Sequence, residues 1–321
     1  MKVDIYYSFI YNLLLKNYKF RDKGNKLGWL WRKVWLLSSK KYSGAVSTKI
    51  HGYECKVNNG NSYPLFARLF RNYNNPLIQL TSTVYNSINR ELVVIDVGSA
   101  TGDTNLLLIK NLPNTIGSFF CIEGDYEFYN YLDSNKKYFP KTSMYNILLS
   151  DINDKQINNL VKTHLGTASA IGESKVKSIS LDSLLLGDLS DNVDILKVDV
   201  DGFDGVVLKG ASKILSKFKP YVIFEWHPII VKNTNNSYFQ HFEVLKLQGY
   251  NRFLWFNKYG EFSHFDFDCT PEIIEAYVKL CLRNIHDFDW HYDIIAIHKE
   301  SKIDIFEIAE LKKAKAIKSR F

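Results

Sequence analysis

Long apolar runs are missing from this chain of 321 residues. No stretch reaches the roughly 18 consecutive apolar residues that a membrane-spanning helix needs, so we predict no such helix. Residues 5–15 are apolar enough for the core of a signal peptide, but Asp4 flanks them and no small-residue cleavage site follows. We therefore expect an N-terminus that is not cleaved.

Cysteine is scarce as well. The chain has four, and no two of them have the spacing of metal ligands: Cys55, Cys121, Cys269 and Cys281. So few cysteines in a chain of this length indicate a reducing compartment, and we expect the cytoplasm.

Positive charge is concentrated at the two ends of the chain. The net charge is +7, yet residues 1–41 carry ten Lys/Arg against two acids, and residues 311–321 carry five Lys/Arg and no acid. Residues 42–310 are therefore net negative. A nucleic-acid-binding protein is typically basic over a whole face, so we expect no nucleic-acid partner.

The first 90 residues form a basic, aromatic region that precedes the main domain. The segment LGWLWRKVWLL places Trp29, Trp31 and Trp35 in an apolar stripe with helical spacing. Two interpretations stay open: an amphipathic helix that packs on the main domain, or an interfacial helix on an anionic membrane surface. The segment TKIHGYECKV predicts a β-hairpin around its His-Gly pair, and helical patterns continue to about residue 88.

From residue 91 to about residue 300, apolar β-branched segments alternate with helical patterns. This alternation predicts an α/β domain with a mostly parallel sheet and helices on both faces. Seven strands are predicted, at ELVVIDVG, GSFFCIEG, SMYNILLSD, VDILKVDV, KPYVIFEWHP, NRFLWFN and WHYDIIAIHK. Residues 257–290 are predicted to form a loop and a helix, and residues 301–321 a basic tail.

A glycine-containing loop follows the first predicted strand. The segment VVIDVGSATGDTNLLL places Asp96, Gly98, Ser99 and Gly102 between a strand and a helix, where glycine lets the backbone approach a ligand closely. The dinucleotide-binding fingerprint has a second glycine where this chain has Ala100. The remaining spacing suits a ligand without a pyrophosphate, such as S-adenosylmethionine, although a purely structural turn stays an alternative.

Two further strand ends carry acidic residues that suit the same ligand. Glu123 ends the second predicted strand, about 20 residues beyond the glycine loop, where a carboxylate accepts hydrogen bonds from ribose hydroxyls. Ser150 and Asp151 end the third predicted strand, where the adenine would lie. Asp151 is expected to accept a hydrogen bond from the adenine amino group, and a surface-turn aspartate is the alternative.

Ionisable residues crowd the ends of the fourth and fifth predicted strands. Because side chains alternate along a strand, Lys197, Asp199 and Asp201 would share one face of the fourth predicted strand if it stays extended. Glu225 and His227 would likewise lie on one face of the fifth predicted strand. Ligands of open α/β sheets bind at the carboxyl ends of strands, and in the usual doubly wound order the first, fourth and fifth predicted strands would be in contact there. With that strand order we expect these five residues to converge on the glycine loop. The alternative is that Lys197 only pairs with Asp199 and that Asp201 caps the next helix.

With these motifs the sequence resembles the FkbM family of S-adenosylmethionine-dependent methyltransferases. The similar segments are VVIDVGSATGDTNLLL, FFCIEGD, SISLDSLL, VDILKVDVDGFDGVVLKGASKIL and KPYVIFEWH, in this order, over about residues 91–228. The resemblance implies a seven-stranded, Rossmann-like methyltransferase fold and O-methylation, often of sugars or secondary metabolites. The family more often has glutamate where this chain has Asp201 and Asp204, and aspartate is shorter by one methylene. Asp204 is predicted to lie in the first turn of the following helix, where negative charge is favoured.

The residues and the resemblance together predict an S-adenosylmethionine-dependent O-methyltransferase that acts on a hydroxyl of a sugar, glycan precursor or related metabolite. An alcohol is a poor nucleophile until it loses its proton, and His227 or Asp201 is the predicted base. Lys197 would set the charge state of the carboxylates, and Glu225 would orient His227 or an acceptor hydroxyl. A divalent cation among Asp199, Asp201 and Glu225 stays open, but no metal site is assigned.

Three other functions stay open from sequence: a protein or RNA methyltransferase, a nucleotide-dependent oxidoreductase, and a binding protein without catalysis. Ala100 and the charged fourth strand disfavour the oxidoreductase, and the Asn/Asp-Pro-Pro-aromatic motif of nucleic-acid N-methyltransferases is absent. The expected partner is a small-molecule or glycan acceptor, with peripheral contact of residues 1–41 to an anionic membrane as a further option. Five aromatic residues are candidates to stack on a sugar, and each is equally suited to core packing: Tyr63, Phe66, Tyr73, Trp255 and Trp290.

Overall fold

The computed structural model describes residues 3–21, 27–158, 160–164, 167–169, 174–189, 192–284 and 290–310. The N-terminal region within these ranges contains helices and one hairpin. In chain order they are α1 (Val3–Lys16), α2 (Gly28–Lys41), β1 (Ala45–Ile50), β2 (Tyr53–Asn58), α3 (Tyr63–Leu69) and α4 (Asn75–Ile88), with a 3-10 helix at Tyr18–Arg21.

The hairpin turns at the His-Gly pair, as the sequence predicts. His51 and Gly52 have φ angles of 50° and 94°, the left-handed values that a two-residue type I′ turn needs at both positions. Ile50 pairs with Tyr53 directly across this turn. The inner face of the hairpin packs beneath α1 and α2 in a separate N-terminal core that also includes Leu106.

The rest of the described chain alternates strands and helices. The strands are β3 (Leu92–Val97), β4 (Ile116–Glu123), β5 (Lys141–Asn146), β6 (Leu149–Ser150), β7 (Lys155–Asn158), β8 (Val161–His164), β9 (Thr167–Ser169), β10 (Lys175–Ser180), β11 (Ile195–Val198), β12 (Tyr221–Trp226), β13 (Tyr250–Asn257), β14 (Phe262–Asp266) and β15 (Tyr292–His298). The helices are α5 (Asp103–Asn111), α6 (Tyr126–Asn135), α7 (Leu181–Leu185), α8 (Asp204–Gly210), α9 (Ser212–Phe218), α10 (Pro228–Asn233), α11 (Gln240–Leu247), α12 (Pro271–Arg283) and α13 (Ile305–Ile308), with a 3-10 helix at Lys136–Tyr138.

The central sheet has eight strands in the order β14-β13-β15-β12-β11-β3-β4-β5. Its parallel half contains β5, β4, β3, β11 and β12, and its antiparallel half contains β15, β13 and β14. The predicted α/β class and the expected contact of the first, fourth and fifth predicted strands, which are β3, β11 and β12, are confirmed. The ends of these three parallel strands therefore meet at one edge of the sheet.

The seven predicted strands fall one short of the eight strands in the central sheet, and the strands β7 to β10 outside that sheet were not predicted either. The additional strand is β14, which pairs with β13 inside the segment that was predicted to be a loop and a helix. Its sequence, FSHFD, has too few β-branched residues to indicate a strand by itself. The helix predicted in the same segment is present as α12.

The third predicted strand divides into two. β5 ends at Asn146 in the central sheet, and Leu149–Ser150 pairs with β10 in a second sheet of three strands. No break is visible in the sequence here because the intervening residues, Ile147 and Leu148, are apolar. Ser150 and Asp151 therefore do not end a strand of the central sheet.

The two faces of the central sheet are covered by separate hydrophobic cores. Leu196 and Val198 of β11 and Phe224 of β12 lie in one core, whereas Ile195 and Ile223 lie in the other. This alternation assigns Lys197 and Glu225 to the face of Ile195 and Ile223, as the period-two pattern predicts. Among the described helices, none has the length and apolarity required to span a membrane.

Candidate active site

The glycine loop is pressed against the end of β11. A Cβ atom on Gly98 would lie 1.8 Å from the backbone oxygen of Asp199, and Gly98 has a φ angle of +78°. Gly102 has a φ angle of +80°, and its Cβ atom would lie 2.5 Å from Phe139 Cζ. The position of Gly98 therefore requires glycine both for space and for backbone conformation, whereas that of Gly102, whose near neighbours are side-chain atoms, favours glycine mainly for backbone conformation.

Backbone hydrogen bonds hold the same loop to β4. The amides of Gly98 and Ser99 both donate to the carbonyl of Ile122, at 2.9 and 3.1 Å. The Ser99 hydroxyl is buried and donates to the carbonyl of Asp96 at 2.8 Å. The Ser99 hydroxyl therefore makes its hydrogen bond inside the loop, and this bond fixes the path of the backbone between β3 and α5.

A buried ion pair joins the first and fourth predicted strands. Lys197 Nζ lies 3.0 Å from Asp96 Oδ1 and 3.5 Å from Asp199 Oδ2, and it donates to the carbonyl of Gly98 at 3.4 Å. Burial alone would lower the pKa of Lys197, but the carboxylates of Asp96 and Asp199 raise it above its usual value. Lys197 is therefore a fixed cation, and its closest carboxylate belongs to the neighbouring strand rather than to Asp199.

Asp96 keeps one oxygen available. Its side chain is 2% exposed, and Oδ2 has no hydrogen-bond partner within the described part of the chain. A buried carboxylate oxygen that makes no hydrogen bond is costly, so a bound group that donates to it would be stabilising.

Glu123 lies beside the glycine loop at the end of β4. Its Oε2 accepts from the amide of Ala100 at 2.8 Å, and its Oε1 accepts from the amide of Asp125 at 2.7 Å. Burial raises the pKa of Glu123 to about 7, although these two hydrogen bonds act in the opposite direction. Each carboxylate oxygen retains a second lone pair that can accept from a ligand.

Ser150 and Asp151 form hydrogen bonds and ion pairs with other residues of the protein. The Ser150 hydroxyl donates to the carbonyl of Ile152 and accepts from Ser178, both at 2.7 Å. Asp151 forms ion pairs with Lys155 at 2.7 Å and Lys209 at 3.0 Å. Because both oxygens of Asp151 have a lysine partner, its role with adenine stays a prediction.

The charged end of β11 does not stay extended. The strand ends at Val198, and Asp201 has a left-handed φ angle of 49°, so the expected common face of Lys197, Asp199 and Asp201 is wrong for Asp201. The prediction that Asp204 begins the next helix is confirmed, since α8 starts there. Its carboxylate accepts from the amides of Val200 and Gly202, at 3.2 and 3.1 Å, which closes the turn.

β15 and the residue directly before it contribute two side chains that the sequence did not indicate. Asp293 lies directly across from Glu225, and His291 Nε2 is 3.4 Å from Glu225 Oε2. The ring of His291 also stacks on His227, with centroids 4.8 Å apart. A polar residue inside the apolar run YDIIAIH was the available signal, but only the strand order brings Asp293 next to Glu225.

Two carboxyl groups at these strand ends have pKa values above those of free carboxyl groups. Burial and the nearby charges of Asp199 and Asp201 raise the pKa of Glu225 well above its usual value. Burial and Asp199 raise the pKa of Asp293 to about 7, although Lys197 lowers it. Asp199 itself is exposed over 47% of its side chain.

A pocket lies between these strand ends and the start of α4. Its walls come from β11, β12, β15 and α4, and they include Lys197, Val198, Asp199, Ile223, Phe224, Glu225, Asp293, Asn74, Pro76 and Leu77. The N-terminal region therefore provides one wall, and the charged ends of three strands provide the other.

Asp103 is a further acidic residue that sequence reasoning missed. It is buried at the first position of α5 and accepts from the Thr101 hydroxyl at 3.0 Å. Burial raises its pKa to about 7. Its position directly after Gly102, at a helix start, was the signal that could have identified it.

The five candidate aromatic residues separate into two groups. Tyr63 and Phe66 both contact Tyr73, with ring centroids 5.7 and 6.0 Å from that of Tyr73. Burial is the largest cause of the raised pKa of Tyr73, and the charge of Asp199 adds to it. Trp255 is fully buried in the core against Phe242, so it cannot stack on an acceptor.

Trp290 is partly buried and packs edge-on against Tyr292 at 6.2 Å, on the border of the same core.

Within the described residues, no group of three or more His, Cys, Asp or Glu side chains is arranged to hold a metal ion. Asp199, Asp201 and Glu225 accordingly do not form the cation site that the sequence left open.

A family model for the methyltransferase FkbM domain matches residues 48–252, which is more than half of the chain. The chain belongs to the FkbM methyltransferase family. The match begins in β1 and ends in β13, so it includes the hairpin, α3 and α4 as well as the parallel half of the sheet.

Comparison with solved structures finds methyltransferases at low similarity. The methyltransferase FkbM from Methylobacillus flagellatus KT is 15% identical with a TM-score of 0.39, and the match covers 64% of this chain and 43% of that one. An O-methyltransferase from Bacillus cereus, solved with SAH, is 12% identical with a TM-score of 0.36, covering 70% of this chain and 80% of that one. A search among curated proteins found no match.

Proposed function

We propose that this FkbM-family protein is an S-adenosylmethionine-dependent methyltransferase that methylates a hydroxyl of a sugar, glycan precursor or related metabolite. The observation that carries the proposal is the glycine loop, which Gly98 presses against the end of β11 beside a buried, partly unpaired Asp96. The family membership supports the same activity.

The residues around the loop fit S-adenosylmethionine. Asp96 Oδ2 is a buried acceptor that lacks a donor within the described residues, and Glu123 has lone pairs left for two ribose hydroxyls. Gly98, Ser99 and Gly102 keep the loop free of bulky side chains. When bound, the cofactor supplies a methyl group on a positively charged sulfur.

The protein's own groups would then orient the acceptor and take its proton. Lys197 holds the carboxylates of Asp96 and Asp199 in place through ion pairs of 3.0 and 3.5 Å. Because burial and the charges of Asp199 and Asp201 raise its pKa, Glu225 is shifted toward the protonated form, which would donate a hydrogen bond to an oxygen of the methyl acceptor. His227 or Asp201 then remains as the base that accepts the hydroxyl proton.

The pocket chemistry supports a polyhydroxyl acceptor. Asp199, Glu225 and Asp293 offer several acceptors and donors for hydroxyl groups, and burial together with the charges of Tyr63 and Asp199 raises the pKa of the nearby Tyr73. The Asp199 carboxylate at this pocket would repel the phosphates of RNA, which disfavours an RNA substrate. The four cysteines are all free and buried, and we retain the cytoplasm as the proposed location.

An acceptor screen tests this function. Labelled S-adenosylmethionine is incubated with the full chain and nucleotide sugars, glycan intermediates, peptides or RNA, and transfer of label is measured for each class. We expect transfer to a hydroxyl-bearing sugar compound. Transfer only to peptide or RNA would contradict the proposed acceptor while leaving the methyltransferase activity intact.

Two substitutions test the base. Asp201→Asn and His227→Ala are expected to keep cofactor affinity, and the one that removes the base should lower turnover at least ~100-fold. Asp154→Asn, at an exposed aspartate outside the pocket, is the matched control. Unchanged turnover in both variants would remove Asp201 and His227 as catalytic residues.

A further inference from the structure

The helix α1 exposes large apolar side chains on its outer face. Tyr11, Leu14 and Leu15 are buried on the inner face, which packs on the hairpin. The residues on the outer face have exposed fractions between 49% and 67%, and they are Ile5, Tyr6, Phe9 and Leu13. Their spacing of three and four residues gives a continuous apolar stripe along the helix.

The neighbouring helix α2 likewise has a buried inner face and an exposed apolar outer face. Trp31 and Trp35 stack on each other in the N-terminal core, with ring centroids 5.1 Å apart. The outer face instead exposes four apolar side chains by 47% to 62%, and they are Trp29, Leu30, Leu36 and Leu37. We call these eight outward residues of α1 and α2 the N-terminal patch.

Positive charge is interleaved with the N-terminal patch. Lys16, Lys19, Lys33, Lys40 and Lys41 are all exposed. Lys33 Nζ lies 4.7 Å from the ring centroid of Trp29, one helical turn away. Within the described residues of the segment 3–41, Asp4 is the one acidic side chain. The surface therefore combines exposed tryptophan and leucine with lysine, and almost no negative charge.

The two helices are fixed to each other and to the catalytic domain. The Trp31 indole donates to the carbonyl of Leu14 at 3.0 Å, which ties α2 to α1. The Asn12 amide donates to the carbonyl of Ser47 in β1 at 2.8 Å. The core beneath them includes Leu106 of α5, the helix that follows the glycine loop. The patch thus has a fixed position relative to the candidate active site.

We propose that the N-terminal patch binds the surface of an anionic lipid bilayer. Exposed apolar patches of this kind mark interaction sites, and the mixture of tryptophan, leucine and lysine matches the boundary between headgroups and acyl chains. Lysine side chains are attracted by anionic headgroups. A second copy of the chain fits less well, because a symmetric contact would bring the lysines of both copies together.

Flotation of the full chain with lipid vesicles tests the proposal. Vesicles of phosphatidylcholine alone are compared with vesicles of phosphatidylcholine and phosphatidylglycerol in equal parts, at low and high salt. We expect flotation with the anionic vesicles at low salt, and loss of flotation with neutral vesicles or at high salt. Failure to float with anionic vesicles at low salt would overturn the proposal.

Two triple variants separate apolar insertion from charge. The first, Phe9→Ser with Trp29→Ser and Leu36→Ser, should lower vesicle binding more than ~10-fold. Its control makes the same change at three exposed apolar residues elsewhere: Leu247, Phe267 and Leu280. The second, Lys16→Gln with Lys33→Gln and Lys40→Gln, should lose roughly 5-fold per lysine on anionic vesicles. Its control changes Lys110, Lys177 and Lys279 to Gln.

Folding and self-association are measured on the same samples. Thermal unfolding followed by circular dichroism should give wild-type midpoints for all variants, because every substituted side chain is exposed. If the serine variant is unfolded, the vesicle binding of the lysine variant decides whether the proposal holds. Controls that lose as much binding as the patch variants would refute the assignment. A dimer in sedimentation equilibrium that the serine variant dissociates, without vesicle binding by the wild type, would assign the patch to a second copy instead.

Discussion

Gly98→Ala tests whether the glycine loop is shaped by its contact with the end of β11. The added Cβ would lie 1.8 Å from Asp199 O, 2.8 Å from Asp199 C and 3.2 Å from Val200 Cγ1. Two of these atoms are backbone, so the loop and the strand end must separate. Overpacking of this kind costs about 1–3 kcal/mol, and the left-handed φ of +78° adds about 1–2 kcal/mol for alanine.

We therefore expect Gly98→Ala to lower the free energy of unfolding by about 2–5 kcal/mol, measured by urea denaturation. Cofactor affinity should fall as well, since Lys197 bonds to the carbonyl of Gly98 and lies next to Asp199.

Two other glycines provide matched controls for the same measurement. Gly52 has a φ angle of +94°, but a Cβ added there would have no other atom within 4 Å, so Gly52→Ala isolates the conformational cost of about 1–2 kcal/mol. Gly187 has neither a positive φ nor a neighbour within 4 Å, and Gly187→Ala should change stability by less than about 1 kcal/mol. If Gly98→Ala were no more destabilising than Gly52→Ala, the close contact with Asp199 would be refuted.

Two further predictions concern charge at the site. The pKa of Glu123 is raised to about 7, so its carboxylate forms as the pH rises through 7. Cofactor affinity should therefore rise as the pH passes through 7. Below pH 7, affinity should fall by up to roughly tenfold for each pH unit. Calorimetry at several pH values should show this dependence in the wild type and a flatter one in Glu123→Gln. Lys197→Met leaves Asp96 buried without its cation and should cost about 3–5 kcal/mol in urea denaturation. Adding Asp96→Asn should recover part of that loss, and an equal loss in the double variant would contradict the ion pair.

Local features of the site could be predicted from sequence. The glycine loop, the alternation along β11 and the helix start at Asp204 depend on neighbouring residues, so their patterns are visible in the chain itself. The faces of Lys197 and Glu225 follow from period two in the same way.

Features that depend on strand register and on the position of the antiparallel strand β15 could not be predicted. The register pairs Lys197 with Asp96, and the antiparallel strand β15 enters beside β12 and brings Asp293 next to Glu225. Neither pairing leaves a signal in local sequence, because the partners lie far apart along the chain.

Strand endings were the other source of error. β11 ends at Val198, before the alternation reaches Asp201, because the chain turns there through a left-handed residue. β5 ends at Asn146 although apolar residues continue, so Ser150 and Asp151 belong to a different part of the fold, beside the three-stranded sheet. Apolar composition predicts that a segment is buried, and it does not identify which sheet contains it.

Calorimetric titration of the purified full chain with S-adenosylmethionine tests the central claim most directly. We expect saturable binding with one site per chain, and Gly98→Ala should weaken it while Gly187→Ala should not. Absence of binding by the wild-type protein, in a preparation that is folded by circular dichroism, would contradict the proposed methyltransferase function.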